Sequence, residues 1–364
     1  MLKSQQPGQT EDLRRRPMVA TLRLPRVLRT PKTIKVGSDF SGLDAGIIAM
    51  RRMGLPIQLK FCSDKAADCR KFIEHAHKPE VTFGDVLQRT PVEEEYVDAY
   101  LWTPPCQTFS TSGNNDGIYD GRGALISAGC KFIRRNRPRL AIMENVPGLV
   151  TKKHKRVLKG IIKSLKSLDY DVQTRILNSA DYSVPQSRRR VFLVAIRNDS
   201  LRREFTWPEP TGSKTVDAIL DPLTSSDKPG RLPKAPRSRQ LVIDAYAKAH
   251  AAGIDPRTIP VLVDVDCSPR YAVHGVNMAK TITRTRGQAG GPWVSTRGRR
   301  TSTTELLKLQ GINDGEVPWE EAGLTKCQVG MMVGNSMSVP VIGMVLAEAL
   351  YAAGLTTSKS AFRV

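Results

Sequence analysis

The sequence predicts an α/β fold, in which helices alternate with strands that end in glycine or polar residues. Residues 34–37 form a short strand that runs into a glycine-bearing turn, and residues 45–53 have helical spacing. A near-continuous apolar run at 97–102 is typical of a buried strand. It stops at Pro104 and Pro105, which cannot donate to a strand ladder. Because ligands bind beyond the carboxyl ends of strands in such open sheets, we expect the functional site there.

An excess of basic residues is the unusual feature of the composition. The 364 residues include 56 Lys and Arg against 35 Asp and Glu, which gives a formal charge of +21. This excess predicts a polyanionic partner, nucleic acid before membrane, with a basic ribosome-associated or merely soluble protein as the alternative. No apolar run approaches the roughly 18 residues of a membrane span. The N-terminus also lacks a signal-peptide core, so we expect neither secretion nor a membrane span.

The six cysteines are scattered, and none forms a C-x-x-C pair. That spacing argues against a zinc site or a disulfide framework and for a reducing compartment, so we expect no bound metal. Cys106 follows the two prolines on a stiff loop and is the candidate nucleophile. A half-buried structural cysteine is the alternative interpretation of this position.

Three successive strand ends carry residues suited to a nucleotide-type ligand. The first strand leads into the turn Phe40-Ser41-Gly42, a second at 58–62 precedes Asp64, and a third at 81–83 precedes Asp85. An acid about 20 residues after the first turn is where such folds bind ribose hydroxyls. The spacing therefore predicts a site for a nucleoside-containing cofactor.

The second half of the catalytic region carries a buried acid and a cluster of arginines. An apolar strand at 140–143 ends at Glu144, and a carboxylate there is costly unless it is paired or protonated. Three arginines at 188–190 precede the strand at 191–196, where guanidinium groups suit a base edge or a phosphate, with plain exposed charge as the alternative. Between them, residues 154–168 predict an amphipathic helix whose lysines form a solvated face, with DNA contact as the less favoured interpretation.

Shifts of composition divide the chain into five segments. We predict a basic extension, a catalytic domain, a small loop-rich inserted domain, a return segment that completes the catalytic domain, and a tail. The extension either contacts phosphates, acts as a nuclear address or is a plain solvated tail. In that order the segments are 1–32, 33–198, 199–284, 285–354 and 355–364.

The order of short motifs over residues 34–354 resembles the cytosine-C5 methyltransferase family. Each tripeptide is weak alone, but the ordered set is very hard to produce by chance. The matching motifs are Phe40-Ser41-Gly42, Asp64, Gly84-Asp85, Pro105-Cys106-Gln107, Glu144-Asn145-Val146, Gln186 to Arg190, Arg299 to Glu305, Leu309-Gln310-Gly311 and Gly334-Asn335-Ser336.

The resemblance implies a fold, an activity and a partner. The fold would be the Rossmann-like, doubly wound, mostly parallel sheet of class I S-adenosylmethionine-dependent methyltransferases, with residues 199–284 as a small inserted target-recognition domain. The activity would be that of a DNA (cytosine-5-)methyltransferase acting on double-stranded DNA, with the target base flipped out of the duplex. The cofactor would be S-adenosylmethionine.

The resemblance also implies residue roles. Cys106 would add to C6 of the cytosine, protonated Glu144 would donate to N3, and Arg188 and Arg190 would orient the ring through its O2 edge. The implied cofactor-binding residues are Phe40, Ser41, Gly42, Asp64, Lys65, Asp85, Val86, Pro104, Leu125, Asn335 and Ser336.

Three positions depart from the family pattern, and two other functions stay open. Asp44-Ala45 replaces paired glycines, Lys65 replaces an apolar neighbour of adenine, and Thr103 replaces a glycine.

One alternative function is that of the tRNA-methylating branch, which typically carries a Cys-Phe-Thr tripeptide that is absent here. The other is a catalytically silent nucleic-acid-binding scaffold, although such proteins usually lose the nucleophile or the acid.

The sequence leaves the biological setting undetermined. No motif indicates the target sequence or distinguishes a maintenance, de novo or restriction role. The oligomeric state has no signal either, and a monomer is one of the possibilities. Localisation follows the host, with the nucleus expected in a eukaryote and otherwise the cytoplasm with its nucleoid.

Overall fold

A mostly parallel sheet of seven strands forms the core of the computed structural model, which describes residues 33–89, 96–105, 123–359 and 362. In chain order the strands are β1 (Ile34–Asp39), β2 (Ile57–Ser63), β3 (Val81–Phe83), β4 (Ala99–Trp102), β5 (Leu140–Asn145), β6 (Tyr170–Asn178), β7 (Gln186–Ser187), β8 (Arg189–Arg197), β9 (Val261–Val263), β10 (His274–Val276), β11 (Ala279–Lys280), β12 (Trp293–Val294) and β13 (Arg299–Arg300). The helices are α1 (Ala45–Arg52), α2 (Ala67–Ala76), α3 (Ala124–Asn136), α4 (Lys155–Lys166), α5 (Pro236–Ala251), α6 (Arg284–Gln288), α7 (Thr303–Lys308), α8 (Lys326–Asn335) and α9 (Val339–Ala352).

The strand order of the large sheet creates a switch point between β1 and β4. The order is β3-β2-β1-β4-β5-β8-β6, so the chain winds outward from β1 in one direction and from β4 in the other. The first five strands in this order pair in parallel, and β8 runs antiparallel between β5 and β6. Ligands bind at the carboxyl ends of the strands at such a point. The doubly wound, mostly parallel sheet predicted from the sequence is confirmed.

Side chains that alternate along each strand pack into two apolar clusters, one on each face of the sheet. In β8, Phe192, Val194 and Ile196 join one cluster, while Val191, Leu193 and Ala195 join the other. Helices α1 and α9 pack on the first face, and α3 and α4 pack on the second. Strands buried on both faces read as continuous apolar runs, which is why they were visible in the sequence.

A second, smaller sheet lies in the part of the chain that the sequence analysis describes as loop-rich. Its order is β10-β9-β12-β13, so it combines strands from both sides of residue 284. The sixteen-residue helix α5 packs against it through Leu241, Val242, Ala245 and Ala249. This helix was missed because its buried stripe is narrow and made partly of alanine, so its hydrophobic period is weak.

The C-terminal helices close the first apolar face. Ser302 begins α7 and Thr325 begins α8, each with a capping box that satisfies two backbone amides. Helix α9 begins with a proline in its first turn and is buried along most of its length. No single helix in the described part of the chain is long and apolar enough to cross a membrane. Taken together, the bent pair α8 and α9 has the length and apolar composition of a membrane span, and nothing beyond length and composition suggests one.

Candidate active site

The turn after β1 is held against the end of β2. Phe40, Gly42 and Asp44 all have positive φ angles, at 61°, 55° and 52°, so the backbone bends sharply three times. The amide of Ser41 donates to the Ser63 carbonyl at 2.9 Å, and the amide of Gly42 donates to Asp64 Oδ2 at 3.0 Å. The structure therefore brings together the glycine turn and the acid that the sequence places 22 residues apart.

Asp64 organises both sides of this junction. Its Oδ1 accepts the amide of Ala66 at 2.9 Å, just before α2, and burial raises the pKa of its carboxyl group. Each carboxylate oxygen has a further lone pair, so ribose hydroxyl groups would still find acceptors here. A Cβ atom placed on Gly42 or Gly84 would meet no atom within 4 Å. The backbone at both strand ends is therefore open to a ligand, which fits a nucleoside cofactor.

Asp85 faces Lys65 across the same edge of the sheet. The amide of Leu87 donates to Asp85 Oδ1 at 3.0 Å, and Lys65 Nζ lies 3.3 Å from Oδ2. The Leu87 amide, aided by the lysine, lowers the pKa of Asp85. The Lys65 side chain is 84 % exposed, so its stem is not packed against the sheet. Val86, the next predicted pocket residue, is buried.

The exit from β4 is fixed at three points. The amide of Thr103 donates to the Asp39 carbonyl at 3.2 Å, and Thr103 Oγ1 donates to the Phe40 carbonyl at 3.0 Å. Asn145 Nδ2 then donates to the Pro104 carbonyl at 2.9 Å. Cys106 lies outside the described residues. The departure at Thr103 thus replaces a glycine with a side chain that ties the two strand ends together.

The described chain resumes at residue 123, and helix α3 begins at the next residue. Leu125 lies in its first turn and is partly buried. Asn145 was not among the predicted site residues, although it directly follows the predicted acid. An amide at the end of a fully buried strand needs a hydrogen-bond partner, and that requirement was the available signal.

Glu144 is buried beside Arg190 at the carboxyl end of β5. The antiparallel pairing sets Asn145 opposite Val191, which carries Arg190 to the strand end. Arg190 Nε lies 3.0 Å from Glu144 Oε1, and the glutamate is 7 % exposed. Burial raises the pKa of Glu144, and the charge of Arg190 opposes this rise. In the described part of the chain Oε1 accepts no hydrogen bond of good geometry, which leaves an acceptor for a ligand.

Arg188 has a different environment from Arg190. Its Nη atoms donate to the carbonyls of Ile282, Gly334 and Ser336 at 2.7–3.0 Å, and the side chain is buried. These donors hold the end of α8 against the strand entrance. Of the two predicted residues at that helix end, Asn335 is exposed and Ser336 is buried. Direct contact of Arg188 with a base stays a prediction, whereas its contacts here position the protein's own backbone.

A buried network under the site was missed by sequence reasoning. Asp39 Oδ1 accepts from Ser63 Oγ and Arg89 Nη1 at 2.7 Å, and Oδ2 accepts from Tyr100 Oη at 2.5 Å. The Arg89 guanidinium also lies over the rings of three aromatic residues. The partners are 24 to 61 residues apart in the chain, so no local pattern reveals them.

Comparison with a family model decides the identity of this arrangement. The model of C-5 cytosine-specific DNA methylases matches residues 34–350, which include every strand of the described structure. The chain belongs to this family.

Curated relatives of this chain match it over different shares of their lengths. Type II methyltransferase M.MthTI of Methanothermobacter thermautotrophicus is 32% identical over 188 residues, which cover 51% of this chain and 56% of the relative. M.HaeII of Haemophilus aegyptius is 27% identical over 296 residues, covering 81% and 86%. The chain thus spans about half to three fifths of several of the curated relatives that it matches, among them M.FnuDI and M.HhaI.

Solved structures agree with the methylase fold. The Dnmt2 methyltransferase of S. pombe superposes with a TM-score of 0.62 at 14% identity and covers 87% of this chain and 98% of its own. The methyltransferase EhMeth of Entamoeba histolytica gives 0.59 at 18% identity, covering 88% and 98%. Among the described residues, no group of three or more His, Cys, Asp or Glu is arranged to hold a metal ion.

Asp44 is a buried departure from the family pattern, and it makes stability depend on pH. Burial raises the pKa of Asp44 from 3.8 to about 6, while its side chain accepts the Ile47 amide at the start of α1. Between these values the folded protein binds more protons than the unfolded chain, so the contribution of Asp44 to stability falls as pH rises from 4 to 6 and is level above. We expect Asp44→Asn, which keeps the cap and the left-handed backbone, to raise the free energy of unfolding at pH 8 by up to about 3 kcal/mol.

Urea unfolding at pH 4 and pH 8 measures this effect. The gain should be small at the lower pH because wild-type Asp44 is then mostly protonated. Asp169→Asn is the matched control, since Asp169 also has a positive φ angle, 60°, but is exposed. Equal gains at both sites would mean that backbone preference, not burial of charge, is responsible.

Proposed function

We propose that this methylase transfers a methyl group from S-adenosylmethionine to C5 of a cytosine in double-stranded DNA, through a covalent bond between Cys106 Sγ and C6. The observation that carries the proposal is the junction at the ends of β4 and β5. There Asn145 holds the Pro104 carbonyl, two residues before Cys106, while the adjacent Glu144 is buried against Arg190. The predicted nucleophile and the predicted acid are thereby linked through neighbouring backbone.

The residues around the glycine turn would hold the cofactor. Asp64 offers acceptors to ribose hydroxyls, Asp85 offers one to an adenine amino group, and the open faces of Gly42 and Gly84 admit the ligand. Pro104, Leu125 and Ser336 lie on the segments that would border it. When bound, S-adenosylmethionine supplies an electrophilic methyl group on a sulfonium centre.

The chain's own groups would make the cytosine ring nucleophilic. The Cys106 thiolate forms the Sγ–C6 bond, and the electrons displaced towards N3 are met by the proton of Glu144. Arg190 stays beside the carboxyl group and stabilises the negative charge that Glu144 gains. C5 then bears enamine density and accepts the methyl group. Water then takes the C5 proton, and the electrons of that C–H bond form the C5=C6 double bond and expel the Cys106 thiolate. The N3 proton returns to Glu144, which restores the aromatic ring and both catalytic groups.

A parallel assay on DNA and RNA tests the proposal. Purified protein is given methyl-labelled S-adenosylmethionine with either unmethylated duplex DNA or total tRNA. We expect label on DNA alone, released as 5-methylcytosine on nucleoside digestion, and none on duplex whose cytosines are already C5-methylated. Label on tRNA alone would assign the same chemistry to the RNA branch. Label on neither substrate would favour the silent scaffold.

A further inference from the structure

The layer formed by α3 and α4 contains many more basic than acidic residues. Residues 123–168, all of which the structure describes, contain twelve Lys and Arg and a single acid, the buried Glu144. About half of the chain's net charge of +21 therefore lies in one eighth of its length. Both helices bury their apolar side against the same face of the large sheet, so their charged sides point to solvent.

Four lysines of α4 lie along one stripe. Lys155, Lys159, Lys163 and Lys166 are spaced by four, four and three residues, which places them on one side of a helix. All four are exposed, and among the described residues none of them forms an ion pair. At 1.5 Å per residue the stripe is about 16 Å long. We call these four residues the α4 lysine stripe.

This arrangement opposes the local stability of the helix. Lysines four residues apart on a helix repel one another. The first turn of α4 has no acidic residue, so its basic side chains lie at the positive end of the helix dipole without an acidic neighbour in that turn. A bound polyanion removes both penalties, because phosphates favour lysines and helix N-termini alike. A helix whose own charges lower its stability violates a local rule, and such violations are expected at functional sites, here one for an anionic ligand.

The surrounding surface favours the backbone of a duplex over other polyanions. No large exposed apolar side chain lies in the described segment 123–168. Single strands are bound by stacking on aromatic side chains, and membrane surfaces by apolar side chains that insert between lipids. A duplex needs neither, since it offers one negative charge per about 1.7 Å of its axis.

We propose that the α4 lysine stripe is a second, sequence-independent binding surface for double-stranded DNA, separate from the site that holds the target cytosine. The identity of the polyanion rests on the proposed function, in which duplex DNA is the substrate. Because β6 runs parallel to β5, α4 must return the chain from the carboxyl edge of the sheet to its opposite edge. The stripe therefore begins on the side of the catalytic strand ends and leads away from them. It holds DNA that flanks the target or belongs to another segment of a long molecule.

Replacing all four lysines of the stripe with glutamine tests this surface. Glutamine has nearly the helix propensity of lysine, so folding should be kept. The matched control replaces four exposed lysines on other surfaces, namely Lys35, Lys71, Lys78 and Lys326. Binding of a fluorescent duplex of about 60 base pairs is titrated without cofactor at several salt concentrations. Methyl transfer is measured separately on a target duplex of about 14 base pairs, in which little DNA flanks the target.

The stripe variant should bind the long duplex at least about tenfold more weakly, with the slope of log affinity against log salt reduced by about 3–4. Its kcat and KM on the short duplex should stay within about twofold of wild type. An equal loss in the control variant, or none in the stripe variant, would overturn the proposal. So would a KM for the short duplex that rises as much as the long-duplex Kd, because the stripe would then belong to the target site. If tRNA competes with the long duplex and binds more tightly through the stripe, the partner of the stripe would be RNA and not DNA. Since the binding arm needs no catalysis, a chain that binds through the stripe but methylates nothing would refute the proposed function alone.

Discussion

Cys106→Ser is expected to lower methyl transfer to duplex DNA by at least about 10⁴-fold, while duplex binding stays within about twofold of wild type. The thiolate is the attacking form of cysteine, and a fraction of it is present near neutral pH. A serine hydroxyl is far less acidic and has no neighbouring base assigned to it. The Sγ–C6 bond would then not form, and C5 would keep its low aromatic reactivity.

The described residues that precede Cys106 explain why such a small change should matter. Thr103 and Pro104 are fixed by hydrogen bonds to Phe40 and Asn145, so the chain leaves β4 at the switch point of the sheet in a defined direction. Positioning of this kind contributes to catalysis only if the reacting atom at its end is competent. Substituting serine keeps the size of the side chain and tests the atom alone.

Labelled methyl transfer and duplex titration, run on the same preparations, measure the effect. Cys327→Ser is the matched control, because Cys327 is an exposed free cysteine at the start of α8. It should leave turnover unchanged. Turnover in Cys106→Ser close to that of Cys327→Ser would remove Cys106 from the mechanism.

Sequence reasoning identified the strands best, and for a physical reason. Strands buried on both faces, such as β4 and β5, are unbroken apolar runs, and their polar ends mark the site edge. The same logic predicts Gly42, Asp64 and Glu144 at one edge of the sheet. The helices that depend on tertiary packing, α5 above all, lack such a run and were missed.

Contacts between distant parts of the chain were beyond the reach of the sequence. The Arg89–Asp39 ion pair belongs to a buried network that joins β1, β2 and β4. Its two members are 50 residues apart in the chain, and in the sequence they look like ordinary surface charges. Arg188 and Arg190 are indistinguishable in the sequence. Only the fold shows that one binds backbone carbonyls while the other lies beside Glu144.

Glu144→Gln is expected to lower kcat by about 10²–10³-fold while leaving cofactor affinity unchanged, because general acids contribute on that scale. Glutamine has the shape of glutamic acid and can still donate a hydrogen bond, but it cannot deliver a proton to N3. The variant should fold at least as stably as wild type, since it removes a buried carboxyl group whose charge is disfavoured. A matched control is Glu74→Gln, at an exposed position on α2, which should not change kcat.

The pH dependence of kcat gives the sharper test of this role. Burial raises the pKa of Glu144, so the acid form needed for donation to N3 persists at higher pH than for an exposed glutamate. Wild-type kcat should therefore fall as pH rises through the raised pKa of Glu144. In Glu144→Gln this fall should disappear. A variant that keeps it would show that another group is the acid. Glu144 would then serve only to hold Arg190 at the strand end.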